Sequence, residues 1–250
     1  MAMATMMRPY MLPLVAFVGT ALSWWFAMNS QGGPWAARSI LLGGMAASWM
    51  ACYASSKDRA LALEAHRPKA GDPTKGIAAA MLVAALIWAL SSAGALRSLV
   101  PQFHYVAATL RLVGFASTAS ENIGGTPMAQ IAEIVTLFVY ALAFEGIWRG
   151  FSLLSLEEAL GSKRAEVAVA LLSVLAIVPS ACAFLGGAQK SFVFVMFWPL
   201  VHVAAAVCAG VLVRRTGRII PGAIALGMIL VLVLSPARQA MSNPEVVAIG

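Results

Sequence analysis

Apolar residues dominate this chain in runs of roughly membrane-spanning length, and the polar and charged residues are concentrated in the gaps between them. Seven runs can be distinguished, at about 10–29, 35–54, 76–96, 127–148, 167–188, 192–213 and 219–235. A helix needs roughly 20 predominantly apolar residues to cross a bilayer core, so the pattern predicts an all-α, polytopic transmembrane bundle of about seven spans. Two gaps are longer than the rest. Residues 55–75 carry Lys57, Asp58, Arg59, Glu64, His66, Arg67, Lys69 and Asp72 before the breaker Gly71-Asp72-Pro73, which predicts a loop with a short amphipathic helix over Ala60–His66. Residues 97–126 contain an apolar stretch, Val106–Phe115, interrupted by Arg111, which predicts an interfacial helix and not a further span. Thr126-Pro127 has the form of a helix N-cap followed by proline in the first turn.

Composition agrees with the pattern. Hydrophobic residues make up 61% of the 250 and charged residues 11%, against about 25% charged in a soluble domain. No polar stretch is long enough for a separate soluble domain, so residues 1–250 form a single membrane domain. It divides into N-terminal helices and loops (1–126), a core (127–235) and a tail (236–250).

The net charge of +7 would suit nucleic acid if it were clustered on one surface, but its distribution follows the predicted topology. With the N-terminus on one side, that side collects Arg8, Lys57, Arg59, Arg67, Lys69, Lys75, Arg149, Lys163, Arg164, Arg214, Arg215 and Arg218. The other side holds Arg38, Arg97, Arg111, Lys190 and Arg238, a bias of twelve to five. Positive loops stay on the cytoplasmic side, so the expected location is a bacterial inner membrane with the N-terminus cytoplasmic and the C-terminus outside. The partners this implies are lipids and other membrane proteins, with no nucleic acid.

The first run follows Arg8 as a signal peptide would, but Ser23-Trp24-Trp25-Phe26 is bulky where cleavage needs small residues, so a retained helix is expected. Cys52, Cys182 and Cys208 lie in or at the ends of apolar runs without paired spacing and are expected to pack as small residues. Small residues four apart, at Gly43/Ala47, Gly44/Ser48, Ala85/Ala89/Ala93 and Ala206/Gly210, predict close helix crossings.

Polar residues inside spans are expensive to insert, at roughly 2.5–3.5 kcal/mol each, and are therefore the candidate site. They are Glu133, Glu145 and His202, with Arg149 at a span boundary. Glu133 falls in the first turns of the fourth span, where the helix dipole favours a carboxylate. Glu145 and Arg149 are four apart in the favourable order for an intrahelical ion pair. His202 follows Pro199, which frees the carbonyl of Val195, and suits a hydrogen bond to a neighbouring helix better than a metal.

Glu145-x-x-x-Arg149-Gly150-Phe151-Ser152-Leu153-Leu154, followed by Leu156-Glu157-Glu158-Ala159-Leu160-Gly161, resembles the first motif of the CAAX protease and bacteriocin-processing (CPBP, or Abi) membrane endopeptidases. Arg215-Thr216-Gly217-Arg218-Ile219-Ile220-Pro221 is similar to the connection that leads into that family's last catalytic helix. The likeness covers about 128–235, the C-terminal four helices, and implies a CPBP-like core there. It also implies that the glutamate activating water belongs at position 144, where this chain has phenylalanine, while Glu145 and Arg149 match the second glutamate and the arginine. The family's Phe-x-x-x-His motif falls on about Ile177 to Ala181, which has neither residue; Trp198-x-x-x-His202 mimics it one helix too late. The His-x-x-x-Asn motif should follow Pro221, where 222–230 are all without polar side chains.

Hydrolysis in such a site needs a base for water, a partner for that water or a metal, and an oxyanion donor. Zinc would need three protein ligands, and Glu145 with His202 supplies two at most. Three functions follow as expectations. The first is a non-catalytic binding or scaffolding subunit of a membrane complex, with no cofactor. The second is an active CPBP-type endopeptidase using Glu145, Arg149 and His202 on a CAAX or leader peptide, where a zinc or other divalent ion would enter. The third is a transporter or channel component.

Overall fold

Each described segment is helical for a reason visible in its residues. The computed structural model describes residues 2–30, 33–56, 127–178, 207–213 and 216–242. Its helices are α1 (Ala2–Met28), α2 (Gly33–Ser55), α3 (Pro127–Glu145), a π-helical turn (Gly146–Ser152), α4 (Leu153–Leu160), α5 (Ser162–Leu175) and α6 (Ile219–Ser242); a helical segment, 207–213, precedes α6. Among the described residues there is no strand. Two stretches are long and apolar enough to cross a membrane, Pro9–Ala27 and Ile134–Leu160, while Ile219–Leu230 is apolar but shorter. The 23-residue α2 is long enough but less apolar. The runs at 76–96 and most of 192–213, the end of 167–188, and the short helices expected over Ala60–His66 and Val106–Phe115 lie outside the described residues.

α1 and α2 form an antiparallel pair through reciprocal small residues. A Cβ on Gly19 would lie 2.7 Å from Ser48 Cβ, and one on Gly44 would lie 2.9 Å from Ser23 Cβ. Both serines are buried and bond back to their own helix, Ser23 Oγ to the Gly19 carbonyl at 2.6 Å and Ser48 Oγ to the Gly44 carbonyl at 2.7 Å. Two Gly-x-x-x-Ser motifs thus face each other, the close backbone approach that substitutes for hydrophobic drive between membrane helices. Gly44/Ser48 was the expected half. Gly43/Ala47 has the same spacing but faces outward, with nothing within 4 Å of a Cβ on Gly43.

α1 also carries Pro9 and Pro13. Pro13 has no N–H for the Pro9 carbonyl four residues back. Ser155 Oγ of α4 supplies the missing donor at 2.7 Å, tying α1 to the far end of the long central helix. α6 runs antiparallel to α3: Gly222 lies against Glu145 and Gly227 against Phe138. The entry to α6 is a tight turn. Thr216 Oγ1 donates to the Leu212 carbonyl at 2.8 Å, Gly217 N donates to the Val213 carbonyl at 2.7 Å, and Gly217 takes φ +65°, a conformation that favours glycine. Pro221 then occupies the first turn of α6, and Pro127 opens α3, both as proline prefers.

The outward faces are apolar. On α1, Met11, Leu14, Val18, Leu22 and Trp25 are exposed at three- and four-residue spacing; Ile131, Val135, Val139 and Leu142 of α3 and Val167, Leu171 and Leu175 of α5 repeat the arrangement. Exposed charge appears where α4 turns into α5, at Glu158, Lys163 and Arg164 around Gly161, which has φ +74°.

One expectation is corrected. The pattern placed the end of the fourth span at about 148 and a loop over 149–166. The chain instead stays helical through Arg149 to Leu160, and residues 146–152 are all buried. Gly146 and Gly150 weaken the α preference, and the turn relaxes into π geometry, closed by Leu153 N to the Trp148 carbonyl and by Ser152 Oγ to the Ile147 carbonyl at 3.0 Å. Such π turns often sit at functional positions.

Candidate functional site

The π turn presents different chemistry on its two faces. Toward α1, residues four apart build an aromatic column. Tyr140 and Phe144 have ring centroids 5.7 Å apart, and Phe144 and Trp148 6.3 Å. Trp24 of α1 meets Tyr140 edge-on at 5.7 Å and donates its Nε1–H to the Tyr140 hydroxyl at 3.2 Å. Phe144, the position where the resemblance puts a water-activating glutamate, is 1% exposed within this column. Below it, Phe151 packs edge-on against Trp49 of α2 at 5.6 Å, and Trp49 stacks on Tyr53.

The other face holds Glu145 and Arg149. Both are buried, at 0% and 4% exposure, and Arg149 Nη1 donates to Glu145 Oε2. Glycines of two other segments close over the pair. A Cβ on Gly222 of α6 would lie 3.3 Å from Glu145 Oε2 and 3.0 Å from Val213, and one on Gly210 would lie 3.7 Å from Arg149 Nε. Gly222 sits where a Cβ would force its neighbours to give, while Gly210 leaves an ordinary contact distance to Arg149. In an apolar interior, opposite charges that neutralise one another are the tolerable arrangement.

Two polar atoms of the turn have no hydrogen-bond partner among the described residues: Glu145 Oε1 and Trp148 Nε1, both fully enclosed. A carboxylate oxygen left over after a salt bridge is an acceptor in waiting. By itself it holds one proton or one donor, and catalysis needs more than that.

The expected ion pair between Glu145 and Arg149 is therefore present, and it is buried. His202, with Trp198 and Pro199, lies outside the described residues, so its relation to Glu145 is not given by this structure. Glu133 lies in the second turn of α3. Ile177 is buried after the end of α5, and Ala181 lies outside the described residues. On α6, the stretch where the resemblance puts His-x-x-x-Asn buries Ala223, Ala225, Leu226, Ile229 and Leu230. Among the described residues, no three of His, Cys, Asp and Glu come together as metal ligands would. The aromatic column and the two glycines escaped the sequence reading. Tyr140, Phe144 and Trp148 at four-residue spacing were a usable signal; Gly210 and Gly222 gave none that pointed to Glu145.

Comparison of the chain with family models, with curated proteins and with solved structures returns no match.

Proposed function

We propose that this chain is a polytopic membrane protein of about seven spans, CPBP-like in its C-terminal four helices, in which peptidase chemistry has given way to packing. It serves as a non-catalytic binding or scaffolding subunit of a membrane complex. Its place is a bacterial inner membrane, N-terminus cytoplasmic. The observation that carries the reading is the filled state of the π turn. Phe144 is locked between Tyr140 and Trp148, and Glu145 is closed onto Arg149 under Gly222. A general base needs water within hydrogen-bond reach of its carboxylate, and both faces of this turn are occupied by protein. Membrane residence is supported separately by the apolar outward faces of α1, α3 and α5, which a soluble monomer does not expose on this scale.

One observation favours a second reading, an intramembrane endopeptidase: Glu145 Oε1 is buried without a partner among the described residues and has an acceptor position for a water or a donor from another helix. Purification from native membranes separates the two. The scaffold reading expects a stoichiometric complex with other membrane proteins and no cleavage of a prenylated or leader-type peptide. Recovery as a free monomer that cleaves such a peptide, with activity lost in Glu145→Gln or His202→Ala, establishes the protease instead. The orientation is tested by single cysteines at Ser162 and Lys163, both exposed. Both should react with an impermeant thiol reagent only from the cytoplasmic side.

A further inference from the structure

Several buried hydroxyls bond back to their own helix: Ser152 Oγ to the Ile147 carbonyl, Ser173 Oγ to the Ala170 carbonyl, and Ser23 and Ser48 at the α1–α2 crossing. Thr20 of α1 is fully enclosed, and its Oγ1 makes no such bond. Trp148 contrasts with Trp24 in the same way. Trp24 Nε1 reaches the Tyr140 hydroxyl, while Trp148 Nε1, equally buried, has no partner among the described residues. We propose that Thr20 Oγ1 and Trp148 Nε1 share one bound water molecule, held between α1 and the π turn.

Two contacts fix the register that brings these atoms to one layer. Trp24 meets Tyr140, and Pro9 meets Ser155. α1 therefore runs antiparallel to the helix that continues from α3 into α4, with the two contacts equally far apart along both. On that register Thr20 lies opposite Phe144, about one helical turn from the level of Trp148. Thr20 precedes Trp24 by one turn and follows Pro9 by three, so it is on the face of α1 that both contacts use. Trp148 is on the face that carries Tyr140 and Phe144. Helical side chains lean toward the N-terminus of their own helix. Because the helices are antiparallel, Thr20 and Trp148 lean toward each other's level. An indole N–H only donates, and a hydroxyl accepts as well as donates, so the two are complementary, yet they do not bond directly. A bridging water joins polar atoms that face one another beyond direct reach, and buried waters settle on enclosed polar atoms that otherwise lack partners. The water lies on the side of the turn toward α1 and not beside Glu145, so it is a strut between helices and not a nucleophile. The inference does not depend on the membrane or scaffold readings above.

The test uses nuclear magnetic resonance on the full-length protein in detergent, with isotope-labelled tryptophan. Its seven tryptophans give seven indole N–H signals, and Trp148→Phe and Trp24→Phe identify two of them. The Trp148 signal should show cross-relaxation with water, separated from hydrogen exchange by its opposite sign in the rotating frame. Thr20→Val removes the hydroxyl at nearly constant shape. It should abolish that cross-relaxation and move the signal upfield, and Thr20→Ser should keep both as in the wild type. The Trp24 signal, set by its bond to Tyr140, should stay in place in each variant and reports an intact fold; Thr20→Ala serves if Thr20→Val does not fold. A wild-type Trp148 signal without water cross-relaxation overturns the proposal, and so does cross-relaxation unchanged in a folded Thr20→Val or Thr20→Ala protein. An upfield shift in Thr20→Val with no water contact in the wild type indicates a direct bond from Trp148 to Thr20 and overturns it as well.

Discussion

Two faces of the helix that runs from the end of α3 into the π turn reach opposite solutions to burial. On the face toward α1, Tyr140, Phe144 and Trp148 fill space with rings; the Tyr140 hydroxyl is satisfied by Trp24, while Trp148 Nε1 has no partner among the described residues. On the face toward α6, a glutamate and an arginine are carried into the interior and covered by glycine backbones. The first face is stabilised by area, on the order of 25 cal/mol per Å² of apolar surface removed from water in a soluble setting, and in lipid by close contact. The second is tolerated only as a neutral unit. Substitutions should therefore fail for different reasons on the two sides.

The largest effect is expected on the aromatic face. Phe144→Glu restores the residue that the family resemblance places there, but puts a carboxylate between the rings of Tyr140 and Trp148. The variant should lose about 3 kcal/mol or more, seen as a collapse of the thermal unfolding midpoint in detergent, and should gain no peptidase activity. A Phe144→Glu protein that is as stable as wild type and cleaves peptide would mean that the column is a vacated site and not a packing element.

Next in size is the glycine cover. Gly222→Val drives branched bulk into Val213 and Glu145 Oε2, already 3.0 and 3.3 Å from a bare Cβ, and should destabilise by about 1–3 kcal/mol. Gly210→Ala meets Arg149 at an ordinary 3.7 Å and should stay within about 0.5 kcal/mol of wild type. Comparing the two unfolding midpoints is the check, and an equal response from both positions would show that the pair is not held from the α6 side. The smallest effect belongs to Trp24→Phe. It removes one interhelical hydrogen bond and keeps a ring in place, for a loss of about 0.6 kcal/mol in membrane helices. A loss several times larger would give the polar handle, and not the rings, the leading part on that face.

What was legible in the sequence was local. Thr126-Pro127 marks the start of α3 and Pro221 the first turn of α6 because proline's missing N–H costs nothing there. The spacing of Glu145 and Arg149 specified their pairing because four residues on a helix share a face. Depth was not legible. An arginine at the end of an apolar run has the appearance of a membrane boundary, and its burial against segments that carry Gly210 and Gly222, more than sixty residues away in the chain, is not written in that run. Spacing also failed to say which face a motif occupies: Gly44/Ser48 closes on α1 while Gly43/Ala47, one residue earlier, points away. The Pro9–Ser155 bond was equally hidden, since a proline declares which carbonyl it frees but not which helix will supply the donor.

A double-mutant cycle on the charged pair tests most directly whether the π turn is a packing element. Glu145→Gln, Arg149→Met and the combined variant would be compared by thermal unfolding in detergent, with peptidase assays on each. A self-neutralising structural pair predicts that Arg149→Met alone loses about 3 kcal/mol or more, because it strands a buried carboxylate, and that the double variant recovers most of the loss. Arg149→Met indistinguishable from wild type, together with a peptidase activity abolished by Glu145→Gln alone, would contradict it.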